Sequence, residues 1–203
     1  MIKEIPIEIS ARHIHLSQED LNKLFGENYK LQILKELSQP GQFAAKETVD
    51  LKTDKAELKN VRILGPIRSL TQIELSKTEA RSLGIPATYH DSEELELSGT
   101  PGVEVVGPPR LGEAGPQGSI MLNKGVILAW RHLHVSPREA EELGIKDGEL
   151  IKIETDGPRG LIFKNVLVRV NDKYRLSFQL DTDEGNAAGI EGGATGRIYQ
   201  DNS

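Results

Sequence analysis

Apolar and polar residues alternate with a period of two in several separate stretches of the chain. Ile5, Ile7 and Ile9 do so near the N-terminus, and Leu150-Ile151-Lys152-Ile153 and Leu167-Val168-Arg169-Val170 do so later. Successive side chains leave a strand on opposite faces, so this alternation predicts half-buried strands. Asp147-Gly148 and Asp156-Gly157 punctuate the later ones as turns. Between strands the pattern switches to short helices with explicit start signals. Ser17 is followed by Asp20, Ser76 by Glu79, and Ser136 by Pro137 and Glu139. A serine hydroxyl that accepts an orphan N–H, with an acid three residues on and proline in the first turn, opens a helix. Glu79-Ala80-Arg81-Ser82-Leu83-Gly84-Ile85 echoes Glu139-Ala140-Glu141-Glu142-Leu143-Gly144-Ile145. Gly84 and Gly144 therefore stand where a helix end wants a left-handed residue.

The echoes extend further. Ser10-Ala11-Arg12-His13-Ile14-His15-Leu16-Ser17 recurs as Ala129-Trp130-Arg131-His132-Leu133-His134-Val135-Ser136, and Leu58-Lys59-Asn60-Val61-Arg62-Ile63-Leu64 as Phe163-Lys164-Asn165-Val166-Leu167-Val168. Short strands, short helices and Gly/Pro-rich connections predict a mainly β fold with short helices (α+β), built as two related small β-barrels. The stretch Ser92–Gly118, dense in Gly, Pro and Glu, is expected to be a long connection, and the tail Glu191–Ser203 to be loosely held.

Composition narrows the partners. The chain has 203 residues with 25 basic and 31 acidic side chains, and only four Phe, four Tyr and one Trp. A net acidic chain with few aromatics is a poor nucleic-acid binder, since that task rewards basic stripes and stacking platforms. The longest apolar run, Val126–Trp130, falls far short of the roughly 20 residues of a membrane span. No nucleic-acid or membrane partner is expected, and Met1–Pro6 shows no signal-peptide core or amphipathic leader. The absence of cysteine excludes disulfides, thiolate metal sites and a cysteine nucleophile, and favours a cytoplasmic address. No dinucleotide fingerprint or P-loop is present.

Candidate chemistry concentrates in the histidines, four of which form two His-x-His pairs. On a strand, residues two apart share a face about 6.5 Å from one another, so two imidazoles can hold one metal or line one wall of a site. His13 and His15 also keep the parity of Ile5, Ile7 and Ile9, which suits hydrogen-bonded core residues equally well. Two pairs in matching Arg-His-x-His contexts weigh against that reading. His90, alone in Tyr89-His90-Asp91, reads as structural. A borderline metal wants a third protein ligand and an open position. Glu74 in Thr71-Gln72-Ile73-Glu74-Leu75 is the best candidate, because it alternates with apolar neighbours; taken alone it reads first as an ordinary surface glutamate.

These residues amount to a family resemblance. Ser10–Ser17, Leu37-Ser38-Gln39-Pro40-Gly41-Gln42-Phe43-Ala44-Ala45, Leu64-Gly65-Pro66-x-Arg68 with Thr71-Gln72-Ile73-Glu74, Arg131–His134, and Leu180-Asp181-Thr182-Asp183-Glu184-Gly185-Asn186-Ala187-Ala188 together resemble the PduL family of phosphate acyltransferases. That family interconverts acyl-CoA plus phosphate with acyl phosphate plus CoA. The resemblance covers about Ile5 to Ala188 in matching order. It implies two barrel domains packed around a metal cleft, one from residues 1–11 plus 130–203 and the other from 12–129. The repeat would then sit at the domain joins and face its copies across one cleft.

Carried over by motif, His13, His15 and Glu74 would hold one zinc, and His132 and His134 a second. Arg68 would bind phosphate. Ser10, Lys35, Gln42, Arg62, Leu64 and Asn186 would line the groove for coenzyme A. Arg68 and Glu74 lie about 20 Å apart on a straight strand, so their meeting requires a bend. The resemblance further implies a homodimer, and the lack of a microcompartment-targeting extension implies the free cytoplasmic form. One position departs from the pattern: Gln179 stands where the family has a third histidine for the second zinc, and an amide oxygen is a weaker ligand. The residues therefore also admit a weakened CoA- or metal-binding module, or a zinc hydrolase of thioesters or acyl phosphates.

Overall fold

The computed structural model describes residues 4–93, 96–109 and 118–200. The chain divides into two compact units, Met1–Ala11 with Trp130–Ser203, and Arg12–Ala129. Elements are numbered in chain order. The first unit contains β1 (Ile5–Ile9), β11 (His132–Val135), β12 (Leu150–Thr155), β13 (Ile162–Val170), β14 (Ser177–Leu180) and β15 (Thr195–Ile198). They close into a barrel in the order β1-β14-β11-β13-β12-β15. Alternation fills most of it: Ile5, Ile7, Leu133, Ile153, Val166, Val168 and Phe178 are buried together, whereas Ile9 at the end of β1 is 39% exposed and outside this core.

The second unit contains β2 (His13–His15), β3 (Ile33–Glu36), β4 (Phe43–Lys52), β5 (Glu57–Gly65), β6 (Gln72–Glu74), β7 (Tyr89–His90), β8 (Glu104–Val106), β9 (Ser119–Met121) and β10 (Val126–Ala129). Its sheet is curled and barrel-like, in the order β7-β10-β6-β2-β5-β4-β8-β9, with β3 paired to β4. Ile14, Val49, Leu51, Val61, Ile63, Ile73 and Val105 form its core beneath α1 (Gln18–Phe25) and α2 (Lys77–Ser82).

The sequence echo is a structural one. β2 lies between parallel β5 and antiparallel β6, and β11 between parallel β13 and antiparallel β14. Asn60 and Asn165, matched in the second echo, both take left-handed backbone at φ 57° and 56°. Asparagine tolerates that region far better than a branched residue. The parity that ran on from Ile5, Ile7 and Ile9 does not survive, because the chain changes unit between β1 and β2. Within β2 it is Ile14 that enters the core, completely buried, so His13 and His15 are committed to the opposite face.

Helix starts follow the capping signals. Ser76 with Glu79 and Ser136 with Glu139 form reciprocal capping boxes, as do Asp181 and Glu184 at α4 (Thr182–Ala188). The Ser136 box opens α3 (Pro137–Leu143), and Gly144 ends it at φ 67°. At α1 the acid is Asp20, one carbon shorter than glutamate. It accepts instead from the Ser17 and Thr71 hydroxyls, and the Ser17 N–H turns to Thr71 Oγ1 at 2.9 Å. That substitution ties the start of α1 to the segment leading into β6.

Two expectations are corrected. The stretch 92–118 is more than a connection. It contains β8, hydrogen-bonded between β4 and β9, with Val103 and Val105 in the core. Three residues among Gly and Pro are too short a run for periodicity to reveal; residues 94–95 and 110–117 of that stretch lie outside the described residues. The tail is held too, because β15 pairs with both β1 and β12 and completes the barrel. Gly196 permits this approach, since a Cβ there would meet Glu154 O and Ile153 Cγ2 at 2.9 Å. Only residues 201–203 of the tail lie outside the described residues. Among the described residues, no helix is long and apolar enough to cross a membrane.

Candidate metal centre and active site

Cross-strand pairing assembles the first cluster. β2 and β6 run antiparallel with His13 opposite Glu74, Ile14 opposite Ile73 and His15 opposite Gln72. Ile14 and Ile73 take the core face, so the four polar side chains share the other. His13, His15 and Glu74 are 5%, 3% and 9% exposed. His13 Nε2 lies 3.5 Å from Glu74 Oε1, and the two imidazoles stand edge-on with centroids 5.1 Å apart. The ligand atoms of all three lie within 4.8 Å of one another.

The electrostatics favour the deprotonated forms of His15 and Glu74. Burial pushes the His15 imidazolium well below the ordinary histidine range, helped by His13 and Arg68 and opposed by Glu74. Burial by itself would raise the Glu74 carboxyl, but His13, His15 and Arg68 together hold it far below the usual carboxylate range. His15 Nδ1 is buried without a hydrogen-bond partner. An orphaned imidazole nitrogen, a second imidazole and a carboxylate at this spacing make a suitable donor set for a borderline divalent cation such as zinc.

Arg68 lies in the segment between β5 and β6, which answers the distance problem. The chain does not run straight from Arg68 to Glu74. Arg68 N–H donates to Leu16 O at 3.0 Å and bridges to Ser17, while Thr71 is held by Ser17 and Asp20. Arg68 Nη1 donates to Gln72 Oε1 at 2.9 Å and to Ser92 O at 3.2 Å. A cavity of about 290 Å³ opens there, lined by Arg68, Ser69, Leu70, Gln72, Ser92, Glu93 and Leu97. A cation beside a concave, partly polar pocket can receive an oxyanion.

The remaining expected residues fall in both units. Lys35 is exposed on β3 opposite Ala44, Gln42 immediately precedes β4, and Leu64 on β5 pairs with Ala44. The Leu64 backbone also hydrogen-bonds the His15 ring. Arg62 has a structural task as well, since Nη1 donates to Ala45 O and Lys46 O at 3.0 and 2.8 Å where the β4–β5 register shifts. In the first unit, Ser10 N–H donates to Leu180 O, and Asn186 is exposed on α4.

The second histidine pair repeats the strand frame of the first with different residues opposite it. His132 and His134 are buried, with ring centroids 4.6 Å apart. His132 Nδ1 sits 2.8 Å from Trp130 O. A carbonyl only accepts, so Nδ1 carries the hydrogen; in the neutral ring Nε2 then presents the lone pair, the arrangement usual for a metal-ligating imidazole. Opposite His132, where Glu74 stands opposite His13, is Gln179. Its Nε2 donates to Glu8 Oε2 at 2.5 Å and Ser177 Oγ at 2.9 Å. Among the described residues, only His13, His15 and Glu74 gather three imidazole or carboxylate ligands, so the second pair falls one such ligand short.

A family model for phosphate propanoyltransferase matches residues 6–191. The chain belongs to the phosphate propanoyltransferase family. Membership makes it an acyltransferase. It is 48% identical to the phosphate propanoyltransferase of Sebaldella termitidis over 97% of this chain and 89% of the relative. The enzyme of that name from Thermotoga maritima is 47% identical over 93% and 86%, and that from Salmonella typhimurium 45% over 93% and 85%.

Sequence reasoning did not single out Gln72 or Glu8 for the family's chemistry. Gln72 was within reach, since it shares strand parity with Glu74. Glu8 was not, because only pairing of β1 with β14 brings it to Gln179. The His90 ring bonds Thr88 Oγ1 at 2.9 Å, and its strand pairs with β10.

Zinc titration of metal-free protein tests the cluster. His13→Ala, His15→Ala and Glu74→Gln are each expected to weaken the tightest site by at least about 100-fold. Unchanged affinity would remove that residue from the ligand set. The metal-free protein is also expected to lose stability as pH falls from 7 to 5. The unfolded chain protonates His15 near its ordinary value, whereas the folded unit does not, so the folded state binds fewer protons. Scanning calorimetry should show a smaller fall for His15→Asn.

Proposed function

We propose that this protein transfers a short acyl group, acetyl or propanoyl, between coenzyme A and inorganic phosphate: acyl-CoA + phosphate ⇌ acyl phosphate + CoA. The observation that carries the reading is the buried His13–His15–Glu74 cluster with Arg68 beside it, in a chain of the phosphate propanoyltransferase family. Zinc held by His13, His15 and Glu74 would supply Lewis acidity toward the CoA sulfur, favouring its departure as thiolate.

The protein's own groups account for the rest. Arg68 holds phosphate, for which a planar fork of donors with a permanent charge is well suited. A phosphate oxygen attacks the thioester carbonyl; the C–O bond forms, the C–S bond breaks, and the thiolate takes a proton from water. Phosphate is already an anion at neutral pH, so this step needs no general base. An acyl-cysteine route is excluded because the chain has no cysteine. Lys35, Gln42, Arg62 and Leu64, with Ser10 and Asn186 of the other unit, are assigned to coenzyme A. The exposed Lys35 ammonium suits the phosphates of that molecule. His132 and His134 are assigned a weaker metal site, because Gln179 contributes at most a neutral oxygen.

The test is CoA-thiol release from acetyl-CoA and propanoyl-CoA by the zinc-loaded protein, with and without phosphate. Release that requires phosphate and yields acyl phosphate is expected. Release without phosphate would make the protein a hydrolase. Arg68→Ala is expected to lower phosphate-dependent turnover about 100- to 1,000-fold, the usual effect of removing one group that stabilises developing charge, and unchanged turnover would sink its role. At equal zinc, Gln179→His is expected to raise tightly bound metal from about one per chain toward two. Two in the parent protein would show that the amide suffices.

A further inference from the structure

We propose that Thr71 is a positioning residue for Arg68, locking the segment that carries it onto the strand that carries His13 and His15. The proposal rests on the assignment of Arg68 to phosphate. One peptide group, between Leu16 and Ser17, makes both attachments. Its carbonyl accepts from Arg68 N–H at 3.0 Å, and its N–H donates to Thr71 Oγ1 at 2.9 Å. Leu16 follows His15 directly and is completely buried, which ties this peptide to the histidine strand. The clamp acts on the backbone at Arg68 and is independent of what the guanidinium meets.

Thr71 uses its hydroxyl both ways. It accepts from Ser17 N–H and donates to Asp20 Oδ2, which also accepts from Ser17 Oγ at 3.0 Å. Ser17 Oγ in turn accepts from Asp20 N–H at 3.1 Å, which closes the cycle. At α2, α3 and α4 a glutamate takes the N–H that matches Ser17 N–H; at α1 that donor goes to Thr71. Thr71 is 8% exposed, and a Cβ on Gly125 would come within 2.8 Å of its carbonyl oxygen. Ser69 and Leu70, between the two attachments, are exposed and line the cavity beside Arg68. The turn that presents Arg68 is thus fixed at its two ends. Valine at 71 would keep the shape, yet leave the Ser17 N–H and the Asp20 carboxylate each short of a partner.

The test compares Thr71→Val, Thr71→Ser, Arg68→Ala and the Thr71→Val/Arg68→Ala double variant, all zinc-loaded. A misplacement of about 1 Å costs on the order of 100-fold at a reacting centre. The phosphate KM is therefore expected to rise about 10- to 100-fold in Thr71→Val. Thr71→Ser keeps the hydroxyl and is expected to stay within about threefold of the parent. The acyl-CoA KM and zinc content are expected within about twofold of the parent in both. In the Arg68→Ala background, Thr71→Val is expected to lower kcat/KM for phosphate by less than about twofold more, because the residue it positions is gone. Calorimetric titration with inorganic phosphate makes the single-variant comparison without turnover.

Unchanged phosphate affinity in Thr71→Val would overturn the positioning role. Losses shared equally by phosphate, acyl-CoA and zinc would do so too, as would Thr71→Ser as impaired as Thr71→Val. An equal loss with and without Arg68 would show that Thr71 acts by another route. If Arg68→Ala leaves phosphate affinity unchanged, the assignment of Arg68 falls and this proposal with it. If Arg68→Ala is impaired and Thr71→Val is not, only the role of Thr71 falls.

Discussion

The arrangement depends on the burial of Ile14. In a three-residue strand the middle side chain and its two neighbours must face opposite ways. With Ile14 in the core beside Ile63 and Ile73, His13 and His15 are turned out on the other face. Antiparallel pairing with β6 imposes the same choice on Gln72 and Glu74 around Ile73. Two isoleucines thus bring two imidazoles, a carboxylate and an amide to one patch, with the backbone hydrogen bonds of the ladder fixing their spacing. Slipping either strand by one residue would put histidine in the core and isoleucine at the site. The apolar core and the polar cluster are in this sense one constraint.

The same constraint operates in the barrel, where Leu133 and Phe178 replace Ile14 and Ile73 and the histidines follow suit. The backbone frame is repeated, but the ligands are not. Gln179 occupies the place of Glu74 and Ser177 that of Gln72. The nearest carboxylate stands one strand outward, at the half-buried Glu8 on β1, where the Gln179 amide engages it. One backbone frame therefore carries two different sets of polar side chains, with the difference residing at the two positions opposite the histidines.

Helix capping shows how closely local chemistry links to the site. Among the described residues, three of the four helix starts are reciprocal boxes complete in themselves. The fourth, at Ser17, uses the shorter Asp20, which cannot reach back to the Ser17 N–H. Thr71 takes that N–H and gives its own hydroxyl proton to Asp20. One missing methylene thus links α1 to the segment that carries Arg68, and helps to hold a cation beside the His-Glu cluster.

Much of this was legible along the chain. Period-two alternation found β1, β12 and β13, and Ser-x-x-acid spacing located three helix starts. The repeated Arg-His-x-His pointed to two related frames, and alternation in Ile73-Glu74-Leu75 marked Glu74 as a possible ligand. These are local signals, set by the geometry of a few consecutive residues. What stayed hidden depends on pairing between distant segments. The short strands β8 and β15 have too few residues for a period, and only their partners make them strands. The parity from Ile9 to His13 misled because the chain changes unit between them. The contact of Gln179 with Glu8, the hold of Gln72 on Arg68 and the fall in the Glu74 pKa all arise from residues brought together by strand register. The sequence by itself determined the repeating pattern of buried and polar positions, since each residue's side is set by its immediate neighbours. Tertiary structure alone decided which polar residues meet and with what charge, because strand pairing and burial are set by residues far away in the chain.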